Sequence, residues 1–582
     1  MNRNTLWATT FVDELARNGL RAVCAAPGSR HTPLMLAFAK HPDIRVYSHL
    51  DERSAAFFAL GLALASDMPV ATICTSGTAG ANMYPAIIEA HQSRVPLIII
   101  TADRPHELRD SGANQTIDQT KMFGDFVLWA VDAALPEATP PAIAYRNLRT
   151  LAARAMVTAN GAKRGVVHIN MPFRKPLEPI PVESDVIEIP SGAEARQNSF
   201  VWIDGGQLVP RDLNNAVSWL RDVVQQNSEG VIIAGGHVAN DGKGTILKQL
   251  SKNIGYPLLA ESYSHTRNNE VAIGGYDSFI ANAPKPKVIL RFGDIPISKA
   301  LNTYINDSDA EYIIHLSADG TWSDDAHLTH FLIPLSLENT AIALEGLERP
   351  VLSLYQQLRE LEEVTWQTIE YELDFGDYFD GGVVYDVLDL VPNSTTIFAG
   401  NSLSVRHLDQ FGKPQNKQLF IYANRGVSGI DGNLSTALGA GAARNDRPLV
   451  AIVGDITFYH DMNGLLAIHR CGVPITIVLM NNDGGGIFNR LPINKFEPEF
   501  TEYFITAHGL DFSHAAALYG IEHVRINVAD ENARQSFREV FTQKVGKPKS
   551  TIIEVMSDSL DDEQRRQEIL ESIRSTIQQI KS

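Results

Sequence analysis

Cysteine is scarce in this sequence, which has only Cys24, Cys74 and Cys471 among its 582 residues. All three lie in or beside apolar stretches, so they offer neither a disulfide framework nor a metal cluster and favour a reducing compartment, the cytoplasm. No stretch of about 18 or more apolar residues occurs, and we therefore expect no membrane insertion. Residues 1–7 also lack the apolar region of a signal peptide.

Positive charge is also in short supply, because 50 Lys and Arg residues face 68 Asp and Glu, giving a formal net charge of −18. Proteins that bind nucleic acid normally present a basic face, so the sequence predicts no nucleic-acid partner. An anionic substrate would have to be captured by local groups of Arg and Lys. The remaining composition, 44% hydrophobic and 20% charged, is typical of a globular protein with large cores.

Short apolar runs alternate with helical patterns along the chain, which predicts an α/β fold of three doubly wound parallel-sheet domains. We place these domains at 1–185, 206–355 and 356–582, with a linker rich in Glu, Pro, Ser and Gly at 186–205. Ligands of such sheets bind beyond the carboxyl ends of the strands. We therefore expect a functional site at the strand ends.

The most informative strands are predicted at 449–453 and 475–480, joined by a crossover helix at 461–470. Parallel strands of one βαβ unit end at the same edge of the sheet. We therefore expect Asp455 and Asn482, which follow these two strands, to lie close together.

Oxygen donors at neighbouring strand ends suit a hard divalent cation. The carboxylate of Asp455, the amide oxygen of Asn482 and a carbonyl at Gly484 would leave positions open for phosphate and water. Mg²⁺ is usually held in this way, and Mn²⁺ accepts the same ligands. The alternative is that Asp455 caps a helix and that 482–484 forms an Asn-Asp-Gly turn, both of which are common.

Polar side chains also follow the strands of the first domain. The segments concerned are 27–33, 51–54, 75–79, 101–105 and 111–115. Considered alone, Glu52 would be interpreted as a solvated acid in the first turn of a helix, where the helix dipole favours negative charge. Arg30 and Arg104 would each be interpreted as a member of a surface ion pair. Their recurrence at successive strand ends favours a site instead.

The combination resembles the thiamine-diphosphate-dependent enzymes. Gly454-Asp455 and, one crossover later, Asn481-Asn482 are similar to the diphosphate-anchoring motif of that family, with Ile456 where Gly is usual. The first-domain segments above, together with 400–402, 424–432 and 481–488, closely resemble the 2-succinyl-5-enolpyruvyl-6-hydroxy-3-cyclohexene-1-carboxylate synthases of menaquinone biosynthesis. Those synthases also have a residue other than Gly after the motif Asp.

The resemblance implies thiamine diphosphate as the carbanion sink and Mg²⁺ or Mn²⁺ as the metal. By similarity, Glu52 shifts the tautomer of the aminopyrimidine and Ile430 bends the cofactor. The resemblance adds Ser402 as a binder of the diphosphate, beside Asp455 and Asn482. The cofactor would lie between modules of two subunits, which implies a homodimer or a homotetramer.

The implied reaction is that of a transferase: decarboxylation of 2-oxoglutarate and 1,4-addition of the resulting enamine to isochorismate. Both substrates are polyanions, which explains local cations in an acidic protein. Residues expected by similarity to line the substrate pocket are Ser29, Arg30, Arg104, Gln115, Lys299, Arg406 and Arg425. Guanidinium groups pair with carboxylates in a bidentate manner. Glu52, Ser29 and Arg30 are the candidate catalytic residues.

Two other hypotheses are weighed. Another thiamine-diphosphate enzyme, such as an acetohydroxyacid synthase or a simple 2-oxoacid decarboxylase, would need less positive charge than these arginines and Lys299 supply. A non-catalytic nucleotide-binding or regulatory protein on the same scaffold would not need Glu52 and would show no cofactor-dependent decarboxylation. The middle domain carries only Gly235-Gly236 after a strand, a weak nucleotide signal without the spaced-glycine fingerprint, so we expect it to be structural apart from Lys299.

Overall fold

The computed structural model describes residues 2–183, 185, 213–236, 238, 244–268, 270–350 and 352–581. The predicted linker at 186–205 lies outside these residues. The boundaries given above for the three domains therefore stay predictions.

Three six-stranded sheets, in which all neighbouring strands run parallel, confirm the predicted fold class. The strands of the first sheet are β1 (Ala22–Ala25), β2 (Arg45–Ser48), β3 (Val70–Cys74), β4 (Leu97–Asp103), β5 (Trp129–Asp132) and β6 (Val166–Pro172). Those of the second are β7 (Gly230–Ala234), β8 (Leu258–Ala260), β9 (Ala272–Ile273), β10 (Val288–Phe292), β11 (Tyr312–Leu316) and β12 (Phe331–Ile333). Those of the third are β13 (Thr396–Ala399), β14 (Phe420–Tyr422), β15 (Leu449–Gly454), β16 (Thr476–Asn481), β17 (Glu522–Asn527) and β18 (Thr551–Met556).

The strand orders are those of doubly wound sheets: β2-β1-β3-β4-β6-β5, β12-β11-β10-β7-β8-β9 and β14-β13-β15-β16-β18-β17. The central strands are buried along their length, as apolar strands covered on both faces must be. Residues that reach a ligand must therefore come from the strand ends and from the helices and segments that follow them.

Helices connect the strands. Around the first sheet they are α1 (Arg3–Arg17), α2 (Thr32–Lys40), α3 (Glu52–Ser66), α4 (Thr78–Asn82), α5 (Tyr84–Gln92) and α6 (Ala142–Ala159). Next come α7 (Asn214–Gln226), α8 (Gly244–Ile254), α9 (Tyr276–Phe279), α10 (Lys299–Asn306), α11 (Leu337–Ala343) and α12 (Ser353–Phe375). The last are α13 (Asp380–Leu390), α14 (Leu403–Phe411), α15 (Asn433–Ala443), α16 (Asp455–His460), α17 (Ser513–Leu518), α18 (Ala533–Lys544) and α19 (Ser559–Lys581). Within the described ranges, no helix combines the length and the apolar character needed to cross a membrane.

The chain forms two compact units. Unit 1 comprises Met1–Val209, Asn424–Asp446 and His460–Val473, and unit 2 comprises Pro210–Ala423, Arg447–Tyr459 and Pro474–Ser582. Unit 1 thus contains the first sheet, and unit 2 contains the other two sheets.

Helix α15 joins unit 1 although its sequence neighbours belong to unit 2. It packs against α3 at glycine contacts so close that a Cβ added at Gly61 would lie 1.9 Å from the carbonyl oxygen of Thr436. A Cβ at Gly439 would lie 2.0 Å from the carbonyl oxygen of Phe58. Only glycine allows two helix backbones to approach this closely.

The predicted crossover helix at 461–470 is replaced by a 3₁₀ turn at Met462–Leu466 and a π turn at Ile468–Gly472. The cause is a tertiary contact, because the buried carboxylate of Asp461 accepts hydrogen bonds from the backbone N–H of Ser435 at 2.6 Å and from its hydroxyl at 3.0 Å. Asp461 leaves helical geometry at a φ of −131°. Its burial raises its pKa to about 6.

Candidate active site

Two neighbouring strands of the third sheet end at the same edge. β15 pairs with β16 in a register that places Gly454 opposite Met480, so Asp455 and Asn482 follow adjacent strand ends. The backbone N–H of Gly484 donates to Oδ2 of Asp455 at 2.9 Å and ties the second strand end to the first. The structure thus brings together the three residues predicted to hold a metal.

Gly484 is held in a conformation that only glycine adopts readily, with a φ of 144°. A Cβ there would lie 2.2 Å from the carbonyl oxygen of Ile505, and the same carbonyl accepts the N–H of Gly485 at 2.7 Å. The glycines therefore let the segment after β16 pass close beneath residues 501–505 and reach Asp455.

Asp455 is buried, with an exposed fraction of 3%. Burial raises the pKa of its carboxyl group, and the N–H groups of Gly484 and Ile456 and the His508 ring partly offset this rise. Nε2 of His508 lies 3.3 Å from Oδ2 of Asp455. A buried carboxylate of this kind is stabilised by a cation.

The two asparagines after β16 have different environments. Asn481 is committed to the protein, since its Nδ2 donates to Glu554 at 2.7 Å and its Oδ1 accepts the N–H of Asp483 at 3.1 Å. The Oδ1 atom of Asn482 is buried and has no hydrogen-bond partner within the described part of the chain. An orphaned amide oxygen beside a buried carboxylate fits the oxygen ligands that Mg²⁺ prefers.

Helix α14 begins at the neighbouring strand end, since the N–H of Gly400 after β13 donates to Ile452 of β15 at 2.8 Å. Ser402 precedes the helix with a φ of 71°, and no side chain caps the helix N-terminus. Nη1 of Arg406 donates to the carbonyl oxygen of Ser402 at 2.7 Å. Uncapped N–H groups at such an end suit a phosphate group.

Glu52 is the first residue of α3 in unit 1, and its side chain is half-buried. The preceding residue, Asp51, caps the helix by accepting the N–H of Arg53 at 2.8 Å and that of Ser54 at 3.3 Å. Among the described residues, none donates a side-chain hydrogen bond to the Glu52 carboxylate. Its charge helps to raise the pKa of Cys74, after the effect of burial, which places it beside the end of β3.

Arg30 and Arg104 lie close together at two strand ends of unit 1. Burial lowers the pKa of each, and the charge of Arg104 lowers that of Arg30 further. Arg30 donates through Nη1 to the carbonyl oxygen of Phe173 at 2.9 Å. Nε of Arg30 and Nη1 of Arg104 are buried, and neither has a partner in the described ranges. The nearby carboxylate of Asp103 is paired with Arg109 at 3.1 Å. These two neighbouring guanidinium groups each keep a buried N–H group without a partner in the described ranges, which favours an anion near them.

Two further predicted residues of unit 1 are more exposed. The carbonyl oxygen of Ser29 accepts the N–H of Thr32 at 3.1 Å. Ser29 is exposed and lies in the segment before α2. Gln115 has a φ of 58° and its Nε2 donates to the carbonyl oxygen of Ser76 at 3.0 Å. Both residues lie at the ends of the strands, where ligands of such sheets bind.

Arg425 and Ile430, expected in the third domain, lie on the segment that packs with α15 in unit 1. Glu89 fixes this segment: its carboxylate accepts the N–H of Gly426 at 2.7 Å and that of Val427 at 2.8 Å. The structure therefore places Arg425 in the same unit as Arg30 rather than with Arg406.

Lys299 is the first residue of α10 in unit 2, where Ser298 caps the helix by accepting the N–H of Leu301 at 3.1 Å. Its side chain is exposed. No contact among the described residues connects it with Arg406 or Asp455. Its predicted role in substrate binding stays a prediction.

Three residues that fix the candidate segments within one or the other unit are missing from the sequence-based prediction. They are Glu89, His508 and Gln119, whose Oε1 accepts the N–H of Gly77 at 2.8 Å and whose Nε2 donates to Asn170 at 2.8 Å. Each acts on residues distant in sequence, so no local pattern identifies it. The only available signal is polarity within a segment that is otherwise apolar or turn-like, as at Glu89 in α5.

Comparison with known proteins gives two family matches. Residues 7–122 match the N-terminal TPP binding domain of thiamine pyrophosphate enzymes, and residues 403–555 match the C-terminal TPP binding domain of the same enzymes. The first match contains Glu52, and the second contains Asp455 and Asn482.

Relatives match the chain over nearly its whole length. The chain is 54% identical over 581 residues to the 2-succinyl-5-enolpyruvyl-6-hydroxy-3-cyclohexene-1-carboxylate synthase of Roseiflexus castenholzii, covering 99% of both chains. It is 44% identical over 600 residues to the synthase of the same name from Haloarcula marismortui, again covering 99% of both. Among solved structures, benzoylformate decarboxylase from Polynucleobacter necessarius has the same fold, with a TM-score of 0.70 and 16% identity over 95% of this chain and 98% of that one.

Proposed function

Since this chain belongs to the 2-succinyl-5-enolpyruvyl-6-hydroxy-3-cyclohexene-1-carboxylate synthase family of thiamine-diphosphate enzymes, we propose that it catalyses the reaction for which that family is named. It decarboxylates 2-oxoglutarate and adds the remaining four-carbon unit to isochorismate, releasing CO₂. The observation that carries the proposal is the orphaned Asn482 oxygen at the strand end adjacent to that of buried Asp455, within the segment that matches the C-terminal TPP binding domain.

Bound thiamine diphosphate supplies a carbanion sink. For its diphosphate, we propose Mg²⁺ or Mn²⁺ held by Asp455, Asn482 and the carbonyl of Gly484, with Ser402 at the start of α14 adding polar contacts. The residues fit this role, because Asn482 offers a free acceptor and the Asp455 carboxylate is oriented by two backbone N–H groups.

The proposed role of Glu52 is to hold a proton at the ring nitrogen of the aminopyrimidine. Its half-buried carboxylate, at the start of a helix, is kept in place by the Asp51 cap. Ile430 is proposed to support the bent cofactor from the segment that Glu89 fixes. Two copies of the chain would complete each site, so we also propose a homodimer or homotetramer.

The substrate carboxylates are proposed to bind the arginines. Arg30 and Arg104 provide adjacent guanidinium groups with unpaired N–H atoms, and Arg406, Arg425, Gln115, Ser29 and Lys299 are the further candidates. Enclosing the carboxylates among arginines orients them and also excludes water from the reacting carbon.

All three cysteines are buried and free. Free thiols are typical of a reducing compartment, which supports our proposal that the protein resides in the cytoplasm.

Arg104→Gln is expected to raise KM for one of the two acidic substrates about tenfold to a hundredfold, because a charge-assisted bond is worth roughly 1.5–3 kcal/mol. Steady-state kinetics with each substrate varied in turn measures the effect. Arg174→Gln is the matched control, since Arg174 is exposed and paired with Glu107 at 2.7 Å. An unchanged KM for both substrates in the Arg104 variant contradicts the proposed role.

The function itself is tested by incubating the purified protein with 2-oxoglutarate, thiamine diphosphate and Mg²⁺, with and without isochorismate. We expect fast consumption of 2-oxoglutarate only when isochorismate is present, and a product with the mass of the succinylated cyclohexene. Turnover of pyruvate that is indifferent to isochorismate would indicate a different thiamine-diphosphate decarboxylase and refute the proposed substrates.

A further inference from the structure

Three ionisable side chains form a buried group in unit 2 that the proposed reaction does not use. Asp380 begins α13, His407 lies in α14 and Asp562 lies in the first turn of α19. One possible ligand atom from each residue lies within 4.8 Å of the others. The exposed fractions are 0%, 0% and 4%. We refer to these residues as the three-helix cluster.

The three-helix cluster lacks hydrogen-bond partners. Both carboxylate oxygens of Asp380 and Nδ1 of His407 are buried without a close hydrogen-bond partner among the residues that the structure describes, although the Ser557 hydroxyl lies near enough to Asp380 to lower its pKa in part. Asp562 is better fixed, since its Oδ1 accepts the N–H of Asp380 at 2.8 Å, and its Oδ2 lies 3.5 Å from Nε2 of His407. Buried polar atoms are paired in the great majority of cases, so three such atoms in one place indicate a missing ligand.

The charges of the cluster point to a cation. Burial raises the pKa of Asp380 well above its ordinary value, and the neighbouring Asp562 charge raises it further. The charge of the nearby Arg490 guanidinium group lowers the pKa of Asp380 in part, and Nε of the same group donates to Glu563 at 2.7 Å. One guanidinium group that is shared with Glu563 leaves the two buried carboxylates incompletely neutralised, which favours a further cation.

A cavity of about 1060 Å³ leads to the cluster, because Asp562 and Ser557 are among the residues that line it. Its other lining residues include seven acidic side chains, among them Asp530, Asp558 and Asp561, and two arginines. A negatively charged cavity raises the local concentration of cations. The cluster therefore has an entry path as well as ligands.

We propose that Asp380, His407 and Asp562 bind a divalent metal ion at a site separate from the diphosphate-anchoring cation at Asp455. One imidazole and two carboxylates favour an ion such as Zn²⁺ or Mn²⁺, since imidazole is a ligand that Mg²⁺ rarely takes. Two ligand atoms that each lie about 2.1 Å from one ion are at most roughly 4.2 Å apart. The ligand atoms of the three-helix cluster lie within 4.8 Å of one another, so the side chains would move together by up to several tenths of an ångström on binding.

The proposed ion holds three helices together beside the diphosphate-anchoring residues. His407 lies on α14, which begins after Ser402, while Arg490 and Glu563 connect α19 to the segment after Asn482. The metal thus has a positioning and stabilising role and takes no part in the chemistry. This positioning role does not depend on which substrates the protein uses.

The test measures Zn²⁺ bound to the full-length chain, by elemental mass spectrometry after dialysis and by calorimetry with Zn²⁺ alone. To remove the other proposed metal site, the measurements use the Asp455→Asn chain. We expect one equivalent of Zn²⁺, and binding weakened at least about tenfold when His407→Gln or Asp562→Asn is added. Zn²⁺ should raise the Tm of the parent chain but not that of either added variant.

Asp562→Asn keeps the acceptor for the Asp380 N–H, so it is expected to fold even if His407→Gln does not. His514→Gln, at an exposed histidine, is the control and should retain the full equivalent. Absence of bound Zn²⁺ in the Asp455→Asn chain, or its retention in both cluster variants, would overturn the proposal. The first result would leave a buried water or a shared proton as the occupant.

Discussion

Replacing Glu52 by glutamine is expected to leave thiamine diphosphate bound but to lower turnover about a thousandfold, the size of a typical general acid–base contribution. Glutamine has the same shape as glutamate but cannot hold a proton as a carboxyl group does. The measurements are calorimetry for cofactor binding and exchange of the thiazolium proton, followed by NMR. In the variant we expect normal binding and an exchange rate that falls with turnover.

Glu52→Asp is the matched control, because it keeps the carboxylate and withdraws it by one methylene; we expect intermediate activity. The Glu52→Gln substitution removes a negative charge from the first turn of α3, which costs about 0.3–1 kcal/mol of stability. A Tm measurement separates this loss of stability from the loss of catalysis. The Asp51 cap is unchanged in both variants. Proton exchange at the wild-type rate in Glu52→Gln would show that another group activates the cofactor.

The strand-end residues could be predicted from the sequence because parallel sheets leave little choice. Apolar runs such as Thr476–Asn481 are buried on both faces, and right-handed crossovers bring successive strand ends to one edge. Asp455 and Asn482 therefore had to lie at adjacent positions once the two strands were identified. The three-sheet fold followed from the same alternation.

Contacts between distant segments could not be predicted in this way. The interruption of the helix at Asp461 depends on Ser435, and the attachment of Arg425 and Ile430 to unit 1 depends on Glu89 and on the glycines of α3 and α15. No local pattern encodes such pairings, because each needs two segments brought together by folding.

Removing the Asp455 carboxylate should have the second large effect. In Asp455→Ala we expect metal-dependent binding of thiamine diphosphate to weaken at least about a hundredfold, since a charged ligand is lost rather than an outer-shell partner. The substitution also leaves the N–H groups of Gly484 and Ile456 without their acceptor, at about 1–3 kcal/mol for each buried group. Calorimetry with thiamine diphosphate, with and without Mg²⁺, measures the affinity.

Asp455→Asn separates the two effects of that loss. Its amide oxygen can still accept the N–H of Gly484, so the segment after β16 keeps its position while the negative charge disappears. If the carboxylate acts through the metal, the Asp455→Asn variant should bind thiamine diphosphate nearly as weakly as the Asp455→Ala variant does. The Asp455→Asn variant should nevertheless unfold at a higher temperature than Asp455→Ala. If Asn restores full affinity, Asp455 serves only to hold Gly484, and the cation would need a different charged ligand. Equal affinity with and without Mg²⁺ in the wild-type protein would exclude the metal site altogether.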